Sequence, residues 1–324
     1  MAAAFRRLLV VAKRSAYEVY VGMHGDAHLK ALLQEKSQVV HNLLDRHTVH
    51  QKTLQECEAL LTKWKVPYDI VQRDCLPEKI EDVDLVLTIG GDGTLLETSH
   101  HLDERIPVLG VNSDPTSQEE VDANLGEYDA SRSTGHLCAA TASSLEEVLT
   151  DVFEERHRPV NVRRIKLSVD GREFPIPALN DVLAAHPNPA AVTRCSFWVE
   201  GAPSCSTSSA SPTVYCRSSG LRVCTAIGST GAMKSAGGFV MHPLATALQY
   251  QIREPIEPHS SQRGLMHGSI LDGDSLKVRW GTRQGKAYID GSHLQVDLKL
   301  GEELTFSNGA PQLQWFRPKD NART

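Results

Sequence analysis

Residues 84–96 read Asp-Leu-Val-Leu-Thr-Ile-Gly-Gly-Asp-Gly-Thr-Leu-Leu, and this stretch decides how the rest of the chain is interpreted. Its apolar, partly β-branched residues 85–89 predict a buried strand. The glycines that follow predict a tight turn, and Thr94 supplies a hydroxyl that suits the N-cap of a helix opening at residue 95. A strand, a glycine turn and a helix N-terminus together predict a phosphate site, because the unpaired N–H groups of the helix start point at the anion.

One carboxylate, Asp92, lies among the glycines Gly90, Gly91 and Gly93. A carboxylate beside phosphates either holds a divalent cation or takes a proton from an attacking hydroxyl group. The stretch therefore predicts phosphoryl transfer, with an ordinary Asp-Gly turn as an equally weighted alternative. It is not a Walker loop, because no Gly-Lys-Ser/Thr follows, and its glycine spacing differs from the Rossmann dinucleotide fingerprint.

Short apolar runs alternate with amphipathic segments on both sides of this stretch. We predict strands at residues 8–12, 68–71, 85–89 and 107–111, and helices within 27–61, at 95–102 and at 145–156. This alternation predicts an α/β domain with a Rossmann-like, doubly wound parallel sheet. Ligands of such sheets bind at the carboxyl ends of the strands, where residues 90–94 and 110–113 would lie.

The second half of the chain reads as short strands separated by turn signals. A hairpin over residues 164–176 comes first, and further strands are predicted near 194–199, 221–225, 275–280, 286–289, 294–300 and 304–306. Residues 201–220 are rich in Ser, Pro and Cys and predict a mobile connection. We therefore expect a β-rich, β-sandwich-like domain after the α/β domain, with boundaries at 1–144 and 145–300. A C-terminal segment, 301–324, is expected to return to the N-terminal domain.

Composition narrows the classes of partner. The chain has 324 residues, 40% hydrophobic and 23% charged, and a net charge of −6. This charge disfavours nucleic acid or an anionic membrane as a partner, since both attract a basic face. No apolar run approaches the roughly 20 residues of a membrane span.

Seven cysteines form no CxxC pair and no zinc spacing, so we expect free thiols and no metal held by a cluster of side chains. A reducing compartment follows, and we expect a cytoplasmic protein with the peroxisome as the alternative.

Three segments of the second half carry polar groups that suit a nucleotide. Asn180-Asp181 could fork onto a ribose diol or a cation, although an Asx turn is the favoured reading. The run Thr225-Ala226-Ile227-Gly228-Ser229-Thr230-Gly231 offers hydroxyls and amides that could cradle a nucleotide, with a plain loop as the alternative. Asp290-Gly291 predicts a hairpin turn first and a binding site second.

Taken together, these segments resemble the NAD kinase family, and most closely its plant-type NADH kinases. Residues 90–94 match the family's GGDGT motif, and residues 225–238 are similar to its TPTGSTAYxxSAGG segment. Asn180-Asp181 falls where the family has Asn-Glu, residues 110–112 resemble its G-x-N segment, and residues 255–259 resemble its TPI-x-PH segment. The GGDGT motif alone also occurs in phosphofructokinases and diacylglycerol-type lipid kinases, whereas the ordered set is specific.

The resemblance implies an ATP-dependent kinase that phosphorylates the adenosine ribose 2′-hydroxyl of NADH, and more weakly of NAD⁺, to give NADPH or NADP⁺. It implies that Mg²⁺ accompanies ATP and that Asp92 is the catalytic base. The implied binding residues are Gly90, Gly91, Gly93, Thr94, Asn112, Asn180, Asp181, Thr225, Gly228, Ser229, Thr230 and Asp290. It also implies a homodimer that binds small molecules and neither nucleic acid nor membrane.

The sequence departs from the family pattern at several positions. Asp181 replaces Glu, Ile227 replaces the second Thr of its loop, and Gly231-Ala232 replaces Ala-Tyr. These changes are compatible with the preference for the reduced dinucleotide that the plant-type resemblance implies. Two alternatives stay open at this point: a lipid kinase of the diacylglycerol or sphingosine type, and a non-catalytic dinucleotide-binding protein.

Overall fold

The computed structural model of the chain describes residues 7–23, 38–113, 135–201, 212–256 and 260–319. Packing divides the chain into two compact units. Unit 1 comprises Met1–Val160 with Gln314–Thr324, and unit 2 comprises Asn161–Leu313. The boundaries at residues 144 and 300 stay a prediction from the sequence.

Unit 1 contains a seven-stranded sheet with helices around it. Its strands are β1 (Leu8–Ala12), β2 (Tyr68–Gln72), β3 (Leu85–Gly90), β4 (Val108–Asn112), β5 (Cys138–Thr141), β6 (Val160–Val162) and β19 (Leu313–Trp315). They run in the order β2-β1-β3-β4-β19-β6, and β5 also pairs with β4. The neighbours of β1, β3 and β4 are all parallel to them. The α-helices are α1 (Gln38–Lys63), α2 (Asp92–Ser99) and α3 (Leu145–Phe153), with a π-helical segment at Glu18–Met23 and 3₁₀ turns at Arg73–Cys75 and Ala142–Ser144.

The parallel sheet forms because its central strand is apolar along its whole length. All six residues of β3 are buried, as expected for a strand covered on both faces. Leu87 and Ile89 pack in one core with Leu61 of α1 and Leu149 of α3. Each such side chain contributes roughly 1.5–3 kcal/mol by leaving water. The predicted doubly wound α/β sheet is confirmed. For the helix predicted within 27–61, residues 24–37 lie outside the described part of the chain.

Helix α2 begins earlier than the sequence predicted. Gly91 is its N-cap and Asp92 its first residue, so Thr94 lies inside the first turn and is not the cap. The Thr94 N–H group already donates to the Gly91 carbonyl at 2.9 Å. A Cβ atom at residue 90 would lie 2.2 Å from Thr94 Oγ1. Because Gly90 has no side chain, the chain turns directly from strand into helix and the helix starts sooner.

Unit 2 is built from two six-stranded sheets. The strands are β7 (Lys166–Val169), β8 (Arg172–Glu173), β9 (Asp181–Ala185), β10 (Thr193–Glu200), β11 (Val214–Ser218), β12 (Gly220–Cys224), β13 (Leu248–Arg253), β14 (His267–Ile270), β15 (Ser275–Trp280), β16 (Gln284–Ile289), β17 (Leu294–Lys299) and β18 (Glu303–Ser307). One sheet has the order β11-β10-β15-β18-β7-β8 and the other β14-β13-β12-β9-β16-β17. A short helix, α4 (Ala232–Ser235), and 3₁₀ turns at Ile227–Thr230 and Ser260–Leu265 complete the described part of this unit.

The inner faces of the two sheets share one core. Phe197 and Trp280 come from the first sheet, and Leu248 and Ile289 from the second. The predicted sandwich-like, β-rich domain is therefore confirmed. Its first hairpin closes through Asp170 and Gly171, both at positive φ (49° and 77°), which is the geometry of a type I′ turn.

The mobile connection predicted over residues 201–220 is wrong for its second half. Residues 214–218 form strand β11, antiparallel to β10. Burial alternates along this strand, with Val214, Cys216 and Ser218 turned inward. Small polar residues on the inner face weakened the hydrophobic signal from which a strand is predicted. Residues 202–211 lie outside the described part of the chain.

Candidate active site

Asp92 lies at the carboxyl end of β3, where the chain enters α2. The backbone N–H of Leu137 donates to its Oδ1 at 2.9 Å, and the N–H of His136 donates to its Oδ2 at 3.1 Å. The Cys138 thiol lies 3.8 Å from Oδ1. The carboxylate is half-buried and fixed in orientation. Since each carboxylate oxygen has two lone pairs, Asp92 retains capacity to accept a proton or a cation.

The neighbouring strand end supports this glycine turn. The Ser113 N–H donates to the Gly90 carbonyl at 3.0 Å, and Gly90 pairs in register with Asn112 of β4. Asn112 is buried against Gly135, where a Cβ atom would lie 2.4 Å from Asn112 Nδ2. The sequence therefore correctly grouped Asn112 with the glycine turn.

His50 of α1 is a residue that sequence reasoning missed. Its Nδ1 lies 2.8 Å from Ser113 Oγ, and its Nε2 lies 2.9 Å from the Lys13 carbonyl oxygen. Burial lowers the His50 pKa to about 4, so the ring is neutral at pH 7. It fixes the backbone beyond β1 and β4. Its position in an amphipathic helix predicted only that it would pack.

Trp315 of β19 was also missed. Its indole N–H donates to the Leu137 carbonyl at 2.9 Å, and the ring is buried. The Leu137 N–H in turn donates to Asp92. Trp315 thus braces the peptide segment that orients the carboxylate.

In unit 2, Asp290 ties the segment around Asn180 to the end of β16. Its Oδ2 accepts the Leu179 N–H at 2.6 Å, and its Oδ1 accepts the N–H groups of Asn180 and Asp181 at 2.7 and 2.9 Å. Asp290 has a positive φ of 49° and is nearly buried. Its side chain is a structural anchor as well as part of a turn, because these backbone amides occupy it.

Thr225 joins the second loop to the same segment. Its hydroxyl donates to the Leu179 carbonyl at 2.6 Å and accepts the Gly228 N–H at 3.2 Å. A Cβ atom at Gly228 would lie 2.1 Å from the Asn180 carbonyl oxygen. Only glycine permits this approach, so the two loops predicted as binding segments do pack on each other.

Ser229 and Thr230 differ in what their hydroxyls can do. Ser229 is fully buried. Its hydroxyl donates to the Ala226 carbonyl at 2.6 Å and accepts the Met241 N–H at 2.9 Å. Thr230 is exposed, with a long contact of 3.4 Å to the Ile227 carbonyl. Ser229 therefore shapes the loop, whereas Thr230 faces solvent.

Two polar groups of this cluster point to a ligand. Asn180 Oδ1 is buried and has no hydrogen-bond partner among the described residues. The Asp181 carboxylate pairs with Arg222 of β12 at 2.6 Å, and both side chains are largely buried, at 16% and 13% exposure. Burial raises the pKa of Asp181, and the Arg222 charge opposes that rise. Arg222 was not singled out from the sequence, because no motif contains it.

The structure thus brings the site residues into two clusters. In unit 1, the residues of the glycine turn lie with Asn112; in unit 2, Asn180, Asp181, Thr225, Gly228 and Asp290 lie together. No group of three or more His, Cys, Asp or Glu side chains is arranged to hold a metal ion within the described ranges. Residues 257–259 of the segment 255–259 lie outside those ranges.

Comparisons with known proteins identify the family of the chain. Residues 2–114 match the model of the ATP-NAD kinase N-terminal domain. A probable NADH kinase of Oryza sativa subsp. japonica is 45% identical over 87% of this chain and 86% of its own length. The NADH kinase of Arabidopsis thaliana is 44% identical over 97% of this chain and 96% of its own length.

The chain belongs to the NAD kinase family.

Solved structures show that its fold is the fold of this family. The crystal structure of an NAD kinase from Archaeoglobus fulgidus in complex with ATP covers 97% of this chain and 94% of that chain, with a TM-score of 0.64 and 20% identity. The crystal structure of yeast NADH kinase complexed with NADH covers 98% and 85%, with a TM-score of 0.62 and 16% identity. In the described part of this NAD kinase family member, no helix is both long and apolar enough to cross a membrane.

Proposed function

We propose that this NAD kinase family member transfers the γ-phosphoryl group of ATP to the adenosine ribose 2′-hydroxyl of NADH, and more weakly of NAD⁺. Its likeness to plant NADH kinases over nearly its whole length supports this activity. The observation that carries it is the Asp92 carboxylate, held by two backbone amides beside the glycine turn. None of the relatives named above is a lipid kinase, so that alternative has no support.

Asp92 is the base in this proposal. It accepts the proton of the 2′-hydroxyl as that oxygen forms a bond to the γ-phosphorus, while the bond from phosphorus to the β-phosphate oxygen breaks and ADP leaves. Gly91, Gly93 and Thr94 supply backbone or hydroxyl donors for the phosphates at the start of α2. Gly90 and Asn112 keep this turn closed. Positioning and charge stabilisation carry the rate in such a reaction.

Mg²⁺ would enter with ATP. The described chain offers one carboxylate at the turn, Asp92, and no cage of acidic groups. This fits magnesium, which usually keeps its waters and binds through one or two carboxylates and the substrate phosphates. The ion would neutralise the triphosphate.

Unit 2 would bind the dinucleotide. Asn180 and Asp181 would accept hydrogen bonds from ribose hydroxyls. Asn180 has a buried oxygen without a partner among the described residues, and Asp181 has a carboxylate oriented by an ion pair. Of the three residues assigned to the adenosine pocket, Thr230 would line it, whereas the buried Thr225 and Ser229 would shape its loop from beneath. Gly228 and Asp290 hold the two segments together. We further propose a homodimer, which size measurement by light scattering checks, and a cytoplasmic location, which a fluorescent fusion checks against the peroxisome.

The direct test is to incubate the purified chain with Mg-ATP and, separately, NADH, NAD⁺, diacylglycerol and sphingosine. We expect 2′-phosphorylated dinucleotide, most from NADH. Calorimetric binding of NADH without any NADPH formed would instead support the non-catalytic alternative. Phosphorylated lipid would overturn the assignment.

The Asp92→Asn variant tests the role of the base. The amide oxygen still accepts one of the two backbone hydrogen bonds, the amide nitrogen cannot accept the other, and the group takes up no proton. We expect the fold to be retained and kcat to be lower by about 10²-fold or more. Asp69→Asn, which changes an exposed carboxylate of the same unit, is the matched control and should retain kcat. Near-native turnover by Asp92→Asn would remove Asp92 from the chemistry.

A further inference from the structure

Two cysteines of unit 2 face each other across neighbouring strands. Cys195 of β10 and Cys216 of β11 are directly opposed in the antiparallel register. Their sulfur atoms are 3.3 Å apart, and both residues are buried. Residues opposed in this way have Cα atoms about 4.5–5.5 Å apart, which lies within the range that a disulfide spans. The backbone therefore does not need to move for the two sulfurs to bond.

The pair is also reachable from a cavity. Both cysteines line a cavity of about 660 Å³ within unit 2. The three arginines at this cavity, Arg194, Arg217 and Arg279, are exposed, and Arg279 pairs with Glu303 at 3.2 Å, so the cavity gives the pair access and no specific charge partner. Reactive cysteines are found at such partly accessible places. Among the described residues, Cys57 and Cys224 are also free and buried, and neither is recorded in contact with another cysteine sulfur.

The two thiols are chemically unequal. A hydrogen bond from Cys195, assisted by Ser218, lowers the pKa of Cys216. The same contact together with burial raises the pKa of Cys195. By contrast, burial raises the pKa of Cys57 and of Cys224 to about 12. Cys216 also lies on the edge strand β11 and is the more exposed of the two residues, at 9% against 5% for Cys195, so it meets the oxidant first and Cys195 reacts second.

We propose that Cys195 and Cys216 form a redox-reactive dithiol that a hydroperoxide converts to a disulfide. The Cys216 thiolate attacks the peroxide, the O–O bond breaks, and a sulfenic acid and an alcohol or water form. The Cys195 sulfur then attacks the Cys216 sulfur and expels water. In sum, two thiols and one hydroperoxide give one disulfide, one alcohol or water, and one water; the two electrons go to the peroxide.

The bond would join the edge strand β11 to β10, its one partner strand in the part of the chain that the structure describes. Oxidation should therefore stiffen this edge and raise the thermal midpoint of unit 2 by several degrees, since a cross-link restrains the unfolded chain. The inference does not depend on the kinase assignment.

The experiment treats the full-length protein with hydrogen peroxide, blocks remaining thiols with iodoacetamide and maps the peptides by mass spectrometry. We expect a linked pair of peptides containing Cys195 and Cys216, two hydrogens lighter than the reduced pair and cleaved by dithiothreitol. Equal alkylation of both cysteines with and without peroxide, or linkage of either to a different cysteine, would overturn the proposal.

Matched variants separate the roles of the two thiols. In Cys195→Ser, Cys216 should remain as a sulfenic acid that dimedone labels, because its resolving partner is gone. In Cys75→Ser, which alters an exposed thiol of unit 1, the linked pair should form as in the parent. As a second measurement that needs no oxidation, phenylarsine oxide, a reagent for paired thiols, should protect both cysteines from alkylation. Failure of that protection together with absence of dimedone labelling would also refute the proposal.

Discussion

Gly90 leaves no room for a side chain, and the start of α2 depends on this. An added Cβ would lie 2.2 Å from Thr94 Oγ1, so Gly90→Ala must either push Thr94 aside or shift the turn that carries Asp92. We expect kcat/KM to fall by about tenfold or more, because small displacements of a reacting group are costly. Gly264→Ala, in unit 2, is the matched control, since no atom lies within 4 Å of a Cβ there. Steady-state kinetics of both variants measure the effect. An equal loss of kcat/KM in the two variants would show that the contact at residue 90 is unimportant.

Arg222 sets the charge of Asp181. Removing the guanidinium leaves burial and the Asp290 charge to raise the pKa of Asp181 unopposed. With Arg222→Met we therefore expect the KM for NADH to rise by about tenfold near pH 7. The acid limb of the kcat/KM profile should also move to higher pH, because a protonated Asp181 accepts fewer hydrogen bonds from the ribose hydroxyls of the proposed site. In Arg222→Lys, both the KM for NADH and the acid limb of kcat/KM should lie closer to the parental values than in Arg222→Met. A pH profile identical to that of the parent would separate Arg222 from dinucleotide binding.

At the scale of elements, α1 is attached to the sheet through a neutral histidine. The folded-state pKa of His50, about 4, is below the unfolded value of about 6.5. The unfolded chain therefore binds a proton that the folded chain refuses. The stabilisation is complete above pH 6.5 and is lost as pH falls toward 4, amounting to about 3 kcal/mol. Urea unfolding at pH 7.5 and pH 5 should show a smaller loss in His50→Gln than in the parent; equal losses would contradict this account.

The elements show which parts of the fold are legible in sequence. Strand β3 was predictable because six consecutive buried residues leave no polar alternation to confuse it. The start of α2 was misplaced, since the contact between Gly90 and Thr94 is a steric fact that propensity does not contain. The sequence predicted the motif loops, but it did not predict the residues that hold them in place. Leu137 is 45 residues from Asp92, and Arg222 is 41 from Asp181, so no local pattern connects them.

For the whole molecule, the division of the chain matters most. Unit 2 is one uninterrupted segment, whereas unit 1 includes residues from both ends of the chain. Trp315 provides the link within unit 1 between the late segment and the Asp92 support. Trp315→Phe leaves the Leu137 carbonyl without its buried donor and should cost about 1–2 kcal/mol of unfolding free energy. We also expect a few-fold lower kcat from looser orientation of Asp92.

Urea unfolding and kinetics measure the two effects, and Trp198→Phe is the control. Trp198 lies on β10 in unit 2, where its ring faces Arg279 at 6.0 Å. The Trp198→Phe variant should leave kcat unchanged. A Trp315→Phe protein with parental stability and turnover would show that the indole hydrogen bond carries no weight.

The return of the C-terminal strand to unit 1 also orders the events of biosynthesis. Every residue of Asn161–Leu313 has been translated before Trp315 is added to the nascent chain. The segment that forms unit 2 is therefore encoded in full before the strand that completes the sheet of unit 1. A chain that ends before Trp315 would keep all of Asn161–Leu313 but lack the indole that braces the peptide segment beside Asp92.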